Sequence, residues 1–144
     1  MPKRNPPGFM LLDTHVWVWL MEGDRTLSLS VRERIQRGVA DCQIGISAIS
    51  VWEVAMLEAK QRLIFDVDCS VWVTRALAVP GLSLVPLHPE IAIASTRLPG
   101  QFHGDPADRI IVATARQRNC TLITADQAIL TYANAGWLHA VAAC

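Results

Sequence analysis

The chain lacks the residue patterns that mark several common classes of protein. Its four cysteines form no C-x-x-C pair, and its four histidines lack zinc-ligand spacing, so no standard structural zinc site is expected. Scattered cysteines of this kind are typical of reduced thiols in a cytoplasmic protein. The formal net charge is zero, so no overall positive field indicates a nucleic-acid partner.

Long hydrophobic runs are also missing. The apolar run from Phe9 to Met21 is interrupted by Asp13, Thr14 and His15, and it is shorter than the ~20 residues that span a bilayer. Residues 1–8 are basic and rich in proline, without the apolar core of a signal peptide, and we expect them to form a disordered arm. A cytoplasmic location is therefore expected.

What the chain does contain is typical of one compact domain, expected over residues 9–144. Hydrophobic residues make up 51% of the 144 positions and charged residues 18%, which excludes an intrinsically disordered protein. Apolar runs alternate with helical patterns, and this order predicts an α/β fold with a mainly parallel sheet of four to five strands. The predicted strands are 9–13, 42–46, 82–87, 120–124 and, as an edge strand, 138–142.

The helices between these strands are predicted from capping residues and breakers. Thr14 is expected to cap a helix over 15–21, Ser30 a basic helix over 31–39, and Ser47 a helix to about residue 62. Asp105 and Pro106 begin the clearest helix, which runs to about Asn119. Further helices are predicted over 68–79, 89–99 and 125–133.

Four short stretches place an acid where a strand ends or a helix begins: Leu11–Thr14, Ser50–Glu53, Asp105–Arg109 and Ile123–Asp126. Ligands of parallel α/β sheets gather outside the carboxyl ends of the strands, so these acids are expected to meet at one crevice. Clustered carboxylates repel each other unless a cation offsets their charge, and oxygen ligands suit Mg²⁺ or Mn²⁺. The pattern therefore predicts a divalent metal site and phosphodiester chemistry.

The rest of the surface carries an excess of basic residues once these acids are set aside. Of the 13 acidic residues, five would lie in this crevice, which leaves 13 Lys and Arg residues against eight other acids. A surface of that composition permits a polyanionic substrate but does not require one. The five acids are Asp13, Glu53, Asp105, Asp108 and Asp126.

Each acid also has a purely structural interpretation. Asp105 is a good helix N-cap, and Asp108 is well placed for the helix dipole. Asp126 is equally explained as a first-turn acid behind a threonine cap. Glu53 lies inside an apolar stretch, where an unpaired carboxylate is costly, and Asp13 ends a buried strand; both favour a functional role.

Other side chains leave alternatives open. The five tryptophans are expected in the core or at a dimer surface, although one could stack on a base. His15 and His103 are each either structural or a general acid or phosphate contact. Arg109 either orients the carboxylates, binds a phosphate or forms a plain salt bridge, and Thr14 and Thr124 are further candidates for substrate binding.

Together these residues resemble a known family. Leu12–His15, Ser47–Glu53, His103–Arg109 with Ile111–Ala115, and Leu122–Asp126 are similar to the motifs of PIN-domain ribonucleases, and most similar to the VapC-type toxins of bacterial toxin–antitoxin pairs. The resemblance covers nearly the whole chain in the expected order. It implies a PIN-like α/β/α sandwich.

The resemblance also implies an activity, a cofactor and partners. It implies an endoribonuclease that depends on Mg²⁺ or Mn²⁺, forms a homodimer and is held inactive by a VapB-like antitoxin. The family's four acids correspond to Asp13, Glu53, Asp108 and Asp126, whereas Asp105 matches an acid found in part of the family. Ala107 stands where a bulkier, often aromatic residue is common.

The mechanism expected from these acids is metal-assisted hydrolysis of RNA, which leaves a 5′-phosphate and a 3′-hydroxyl. Asp13, Asp108 and Asp126 would hold the cation, and Glu53 would complete its shell or orient the attacking water. Two rival interpretations are a catalytically silent PIN-like module that binds RNA or protein, and a phospho-receiver domain. The receiver interpretation lacks a lysine after a late strand, since the only lysines are Lys3 and Lys60.

Overall fold

The computed structural model describes residues 8–144, so the predicted disordered arm lies outside the described residues except for Gly8. These residues form five strands and seven helices, with one or two helices between successive strands. The elements are β1 (Met10–Leu12), α1 (Thr14–Glu22), α2 (Leu29–Ala40), β2 (Ile44–Ser47), α3 (Ala48–Ala59), α4 (Cys69–Leu77), β3 (Leu82–Val85), α5 (Pro89–Ser95), α6 (Pro106–Arg118), β4 (Thr121–Thr124), α7 (Gln127–Asn134) and β5 (Ala140–Ala142).

All five strands pair in parallel, in the order β3-β2-β1-β4-β5. The central strand β1 places Leu12 opposite Ile46 on one side and opposite Ile123 on the other. The chain builds outward from β1 in both directions, so the carboxyl end of β1 is the point where the strand order reverses and where ligands bind in such sheets. The α/β fold with a central parallel sheet is confirmed.

Two hydrophobic layers cover the sheet, because successive side chains of a strand point to opposite faces. One face carries Met10, Leu12, Ile44, Ile46 and Ile123, which pack against side chains of α1, α2 and α4. The other face carries Phe9, Leu11 and Leu122, which pack against α6 and α7. Gly45 belongs to this second face, where an added Cβ would lie 2.7 Å from the Phe9 ring, so that only glycine fits.

Several predicted helix starts differ from the observed ones. Asp13, not Thr14, caps α1 through its side chain, and Ser28, not Ser30, caps α2. The predicted caps of α3 and α6, Ser47 and Asp105, are confirmed. When several polar residues lie close together, the tertiary position of the preceding chain decides which of them has the extended backbone of a cap.

Among residues 8–144, no helix combines the length and the apolar character needed to cross a lipid bilayer. The longest helix of this part of the chain, α6, has 13 residues. A membrane-spanning helix needs about 20 predominantly apolar residues.

A carboxylate cleft at the carboxyl edge of the sheet

Asp13 lies at the centre of the carboxyl edge, directly after β1, and is 6% exposed. Its Oδ1 accepts a hydrogen bond of 2.9 Å from the backbone N–H of Thr14. Its Oδ2 accepts one of 2.6 Å from the hydroxyl of Thr124, the last residue of the neighbouring strand β4. Both carboxylate oxygens are thus fixed, and their orientation depends on the register between β1 and β4.

Glu53 reaches the same edge from α3 and is 7% exposed. Its Oε1 lies 2.5 Å from the hydroxyl of Thr14, which in turn lies 2.8 Å from the hydroxyl of Ser50. These contacts link the first turn of α1 to α3. They explain how a carboxylate is accommodated within a largely apolar stretch of α3.

Asp105 and Asp108 enter the cleft from the start of α6. The Oδ1 of Asp105 accepts a 2.8 Å hydrogen bond from the backbone N–H of Asp108, as a helix N-cap does. Gly104 lies so close to the first turn that an added Cβ would be 2.9 Å from the Cβ of Asp108 and closer still to the Phe102 ring. This glycine allows the preceding loop to approach the helix.

Asp126 completes the set from the segment after β4, where it caps α7 by accepting a 3.0 Å hydrogen bond from the N–H of Ile129. Its own N–H donates to the Thr124 hydroxyl at 3.0 Å. Thr124 therefore connects two acids: it donates to Asp13 and accepts from Asp126. Thr124 was one candidate for the cap of α7, with Asp126 in the first turn, but the structure shows that Asp126 itself is the cap.

The structure brings all five predicted acids to one cleft of about 280 Å³. Carboxylate oxygens of three of them, Glu53, Asp105 and Asp108, lie within 4.8 Å of one another. Among the described residues that line the cleft there is no lysine or arginine. The lining consists of Asp13, His15, Trp19, Glu53, Asp105, Asp108, Ala125 and Asp126.

This crowding raises the proton affinity of the carboxylates. Burial, and then the negative charge of Asp105 and the other acids, raises the pKa of Asp108 from 3.8 to about 7. Burial likewise raises the pKa of Asp13 and that of Glu53, against the opposing effect of the threonine hydrogen bonds. Near neutral pH the cleft therefore favours either protons or an added positive charge.

The donor set fits a hard divalent cation. It offers only oxygen ligands, from several carboxylates whose mutual repulsion a cation would relieve, and Mg²⁺ and Mn²⁺ prefer such ligands. Cysteine and histidine ligands, which favour zinc, are limited here to His15 at the edge of the cleft. The chemistry of the residues therefore supports the predicted type of metal site.

The predicted substrate-binding residues are placed differently from the acids. The Arg109 guanidinium turns away from the carboxylates and donates from Nε to the Ser95 carbonyl and from Nη1 to the Phe102 carbonyl, each at 2.8 Å. Thr14 and Thr124 are buried, with hydroxyls bonded to the acids. A contribution of these three residues to substrate binding stays a prediction.

Sequence reasoning missed Trp19 and Ala125 as residues of the cleft, and it left His15 open. Trp19 and His15 are four residues apart on α1, and this spacing places both on the same side of the helix, where they line the cleft. The helical period is the signal that could have identified them. His103, the other histidine considered, does not line the cleft.

Comparison with known proteins agrees with this architecture. The sequence pattern of the PIN domain matches residues 10–135. Ribonuclease VapC22 from Mycobacterium tuberculosis is 31% identical over 123 residues, which cover 85% of this chain and 91% of the relative.

Two solved structures are similar in fold. A chain of a toxin–antitoxin complex from Klebsiella pneumoniae is 28% identical, with a TM-score of 0.54 over 81% of this chain and 86% of its own length. A chain of the DNA-bound VapBC from Salmonella typhimurium is 15% identical, with a TM-score of 0.68 over 94% of this chain and 98% of its own length. The second likeness concerns the fold alone.

Proposed function

The chain belongs to the PIN-domain family, and from that membership we propose that it is a metal-dependent endoribonuclease and the toxin of a VapBC-type toxin–antitoxin pair. The match over residues 10–135 and the 31% identity to a ribonuclease confirm the resemblance seen in the sequence. The single observation that carries the proposed activity is the cleft in which Asp13, Glu53, Asp105, Asp108 and Asp126 converge.

Glu53, Asp105 and Asp108 are the residues that would hold a Mg²⁺ or Mn²⁺ ion most directly, since their oxygens lie closest together. Asp13 and Asp126 line the same cleft and would hold it directly or through water. When bound, such an ion lowers the pKa of water and neutralises negative charge that develops on the phosphate.

The protein's own residues would orient the groups that react. Thr14 fixes the position of the Glu53 carboxylate, which would either complete the shell of the ion or orient the attacking water and accept its proton. Thr124 fixes Asp13 in the same way. In the reaction, the water oxygen bonds to phosphorus, the bond from phosphorus to the 3′ oxygen breaks, and that oxygen takes up a proton. The products are a 5′-phosphate and a 3′-hydroxyl.

Two protein partners belong to this proposal. Because the Klebsiella pneumoniae relative at 28% identity comes from a toxin–antitoxin complex, a cognate VapB-like antitoxin would hold this chain inactive. A second copy of the chain would form a homodimer, as the resemblance to VapC-type toxins implies. RNA and an antitoxin made in the same cell would be met in the cytoplasm.

The test is cleavage of a labelled pool of total RNA by the purified protein with Mg²⁺, with Mn²⁺ and with EDTA. Asp13→Asn should abolish cleavage, whereas Asp41→Asn, an exposed acid at the end of α2, should cut as the wild type does. Fragments with 5′-phosphates that appear only with metal support the proposal. Absence of cleavage by folded, antitoxin-free protein with both metals would replace it with the binding-module interpretation.

A further inference from the structure

The side chain of Trp19 lies where two clefts meet. It lines the carboxylate cleft together with Asp13 and Asp108. It also lines a second cleft of about 350 Å³, together with Leu63 and Phe65. A ligand whose phosphate lies among the carboxylates therefore reaches the Trp19 ring next.

Trp19 packs against the hydrophobic core but, unlike Trp17, is not enclosed by it. Trp17, two residues earlier on α1, is fully buried and packs edge-on against Trp72 with ring centroids 5.0 Å apart. Trp19 points to the other side of the helix and is only partly buried. His15, one turn earlier and exposed, is tilted against it, with ring centroids 6.1 Å apart. The two rings form an aromatic edge beside the carboxylates.

The charge of the second cleft excludes one way of binding a nucleic acid. Glu22, Asp24 and Asp66 are among its lining residues, and no lysine or arginine is among those the structure describes there. A phosphodiester backbone along this cleft would be repelled. An uncharged, flat group attached to the backbone would not be repelled, and the apolar side chains of Val18 and Leu63 offer it further contact area.

We propose that Trp19 is a substrate-binding residue that stacks on an unpaired RNA base adjacent to the scissile phosphate, with His15 flanking the same nucleotide. Proteins that bind single-stranded RNA commonly stack its bases on aromatic rings. The inference rests on the proposed ribonuclease function and adds to it the part of the substrate that α1 recognises. It implies that the protein cuts RNA where bases are unpaired.

A stacking contact is made both before and during the reaction, so its loss raises KM and leaves kcat nearly unchanged. Stacking on an aromatic residue contributes roughly 1–3 kcal/mol per base, which corresponds to about a 5- to 150-fold change in affinity. Loss of a residue that only supports the fold would instead reduce the amount of active protein and therefore the apparent kcat.

The experiment compares Trp19→Leu, which keeps apolar volume without a ring, with Trp19→Phe, which keeps a ring. Trp52→Leu is the matched control, because Trp52 is 55% exposed and lines neither cleft. Each variant is assayed for kcat and KM on a short single-stranded RNA of mixed sequence. Binding of the same labelled RNA is measured with Mn²⁺ in an Asp13→Asn background, where it stays uncut.

We expect Trp19→Leu to raise KM and the dissociation constant about 5- to 150-fold, with Trp19→Phe close to wild type and Trp52→Leu unchanged. If Trp19→Leu and Trp52→Leu have equal KM values and equal dissociation constants, the inference is overturned. Cleavage of RNA by the wild type would still support the proposed ribonuclease function in that case. A defect of Trp19→Leu confined to antitoxin binding also overturns it. If the wild type neither binds nor cuts RNA, the proposed function fails and this inference with it.

Discussion

At the scale of single residues, two threonines hold the reactive carboxylates in place. Thr14 bonds to Glu53 and Thr124 to Asp13, and both hydroxyls are almost completely shielded from solvent. Hydroxyls serve this purpose well because they donate a hydrogen bond without adding a charge that would compete with a cation. The two threonines thus determine the orientation of two acids that lie 40 positions apart in the sequence.

Replacing Thr124 tests this role directly. Thr124→Val keeps the shape of the side chain but removes the 2.6 Å hydrogen bond to Asp13, so we expect cleavage to fall about 10- to 100-fold, as is typical for residues that orient metal ligands. Thr124→Ser keeps the hydroxyl and should retain most activity. Steady-state cleavage rates measure the effect, and wild-type activity in Thr124→Val would show that the hydrogen bond is dispensable.

The raised pKa of Asp108 predicts an unusual dependence of stability on pH. This pKa is about 7 in the folded protein, whereas an aspartate outside the fold has its ordinary pKa of 3.8. The folded state therefore binds the proton more tightly. Without metal, stability should therefore decrease as the pH rises from about 4 to about 7 and then level off. Asp13 and Glu53, whose pKa values are also raised, act in the same direction.

Thermal unfolding in EDTA at pH values of about 5.5 and about 8 measures this dependence. The melting temperature should be lower at the higher pH, and Asp108→Asn should reduce the difference because it removes one of the groups whose pKa is raised. Added Mn²⁺ should raise the melting temperature mainly at the higher pH, where the carboxylates are ionised. A wild-type protein more stable at pH 8 than at pH 5.5 without metal would contradict this account.

At the scale of elements, the segment between α5 and α6 is held from several sides. Arg109 bonds to the carbonyls of Ser95 and Phe102, and the Tyr132 hydroxyl donates to the Pro99 carbonyl at 2.5 Å. This segment ends at Asp105, which therefore depends on contacts made well outside the cleft.

Arg109→Met should expose how much the cleft depends on that segment. Hydrogen bonds to charged groups contribute about 1.5–3 kcal/mol each. Because Arg109 is only half-buried and solvent weakens both bonds, we expect their joint loss to cost less than the sum, about 2–3 kcal/mol of unfolding free energy. Cleavage should fall as well, because Asp105 loses support. Arg97→Met, an exposed arginine on the same segment, is the control, and chemical denaturation is the measurement. Unchanged stability in Arg109→Met would favour the predicted role in substrate binding instead.

The elements also show where sequence reasoning reaches its limit. Asp105 and Pro106 identified the start of α6 because cap and first-turn proline are local signals. The starts of α1 and α2 were misplaced by one and two residues, since Asp13 and Thr14, or Ser28 and Ser30, satisfy the same local preference. Only the tertiary position of the preceding chain distinguishes such neighbours.

At the scale of the whole molecule, the convergence of the acids was predictable because a parallel sheet places its strand ends at one edge. Asp13, Glu53, Asp108 and Asp126 all line the expected cleft. What the sequence could not provide was the spacing within it. Asp105, interpreted mainly as a cap, both caps α6 and lies within 4.8 Å of Glu53 and Asp108, because a carboxylate has two oxygens.

A divalent cation that binds only the folded protein should stabilise the whole molecule. At a concentration 100-fold above its dissociation constant, it adds about 2.7 kcal/mol to the unfolding free energy, which raises the melting temperature by roughly 5–10 °C for a chain of this length. Thermal unfolding with Mn²⁺, Mg²⁺ and EDTA checks this. Asp41→Asn should keep the shift and Asp108→Asn should lose most of it; a shift of equal size in both would place the ion elsewhere.

The bond between Thr124 and Asp13 joins residues that are 111 positions apart in the chain. Asp13 is not oriented until β1 and β4 have paired, and pairing across such separations is a slow step in folding. An incompletely folded chain therefore has the acids but not the cleft. The delay before RNA cleavage begins in a refolding experiment would thus measure how long β1 and β4 take to pair. A cell that makes this protein would be exposed to its activity only once folding is complete.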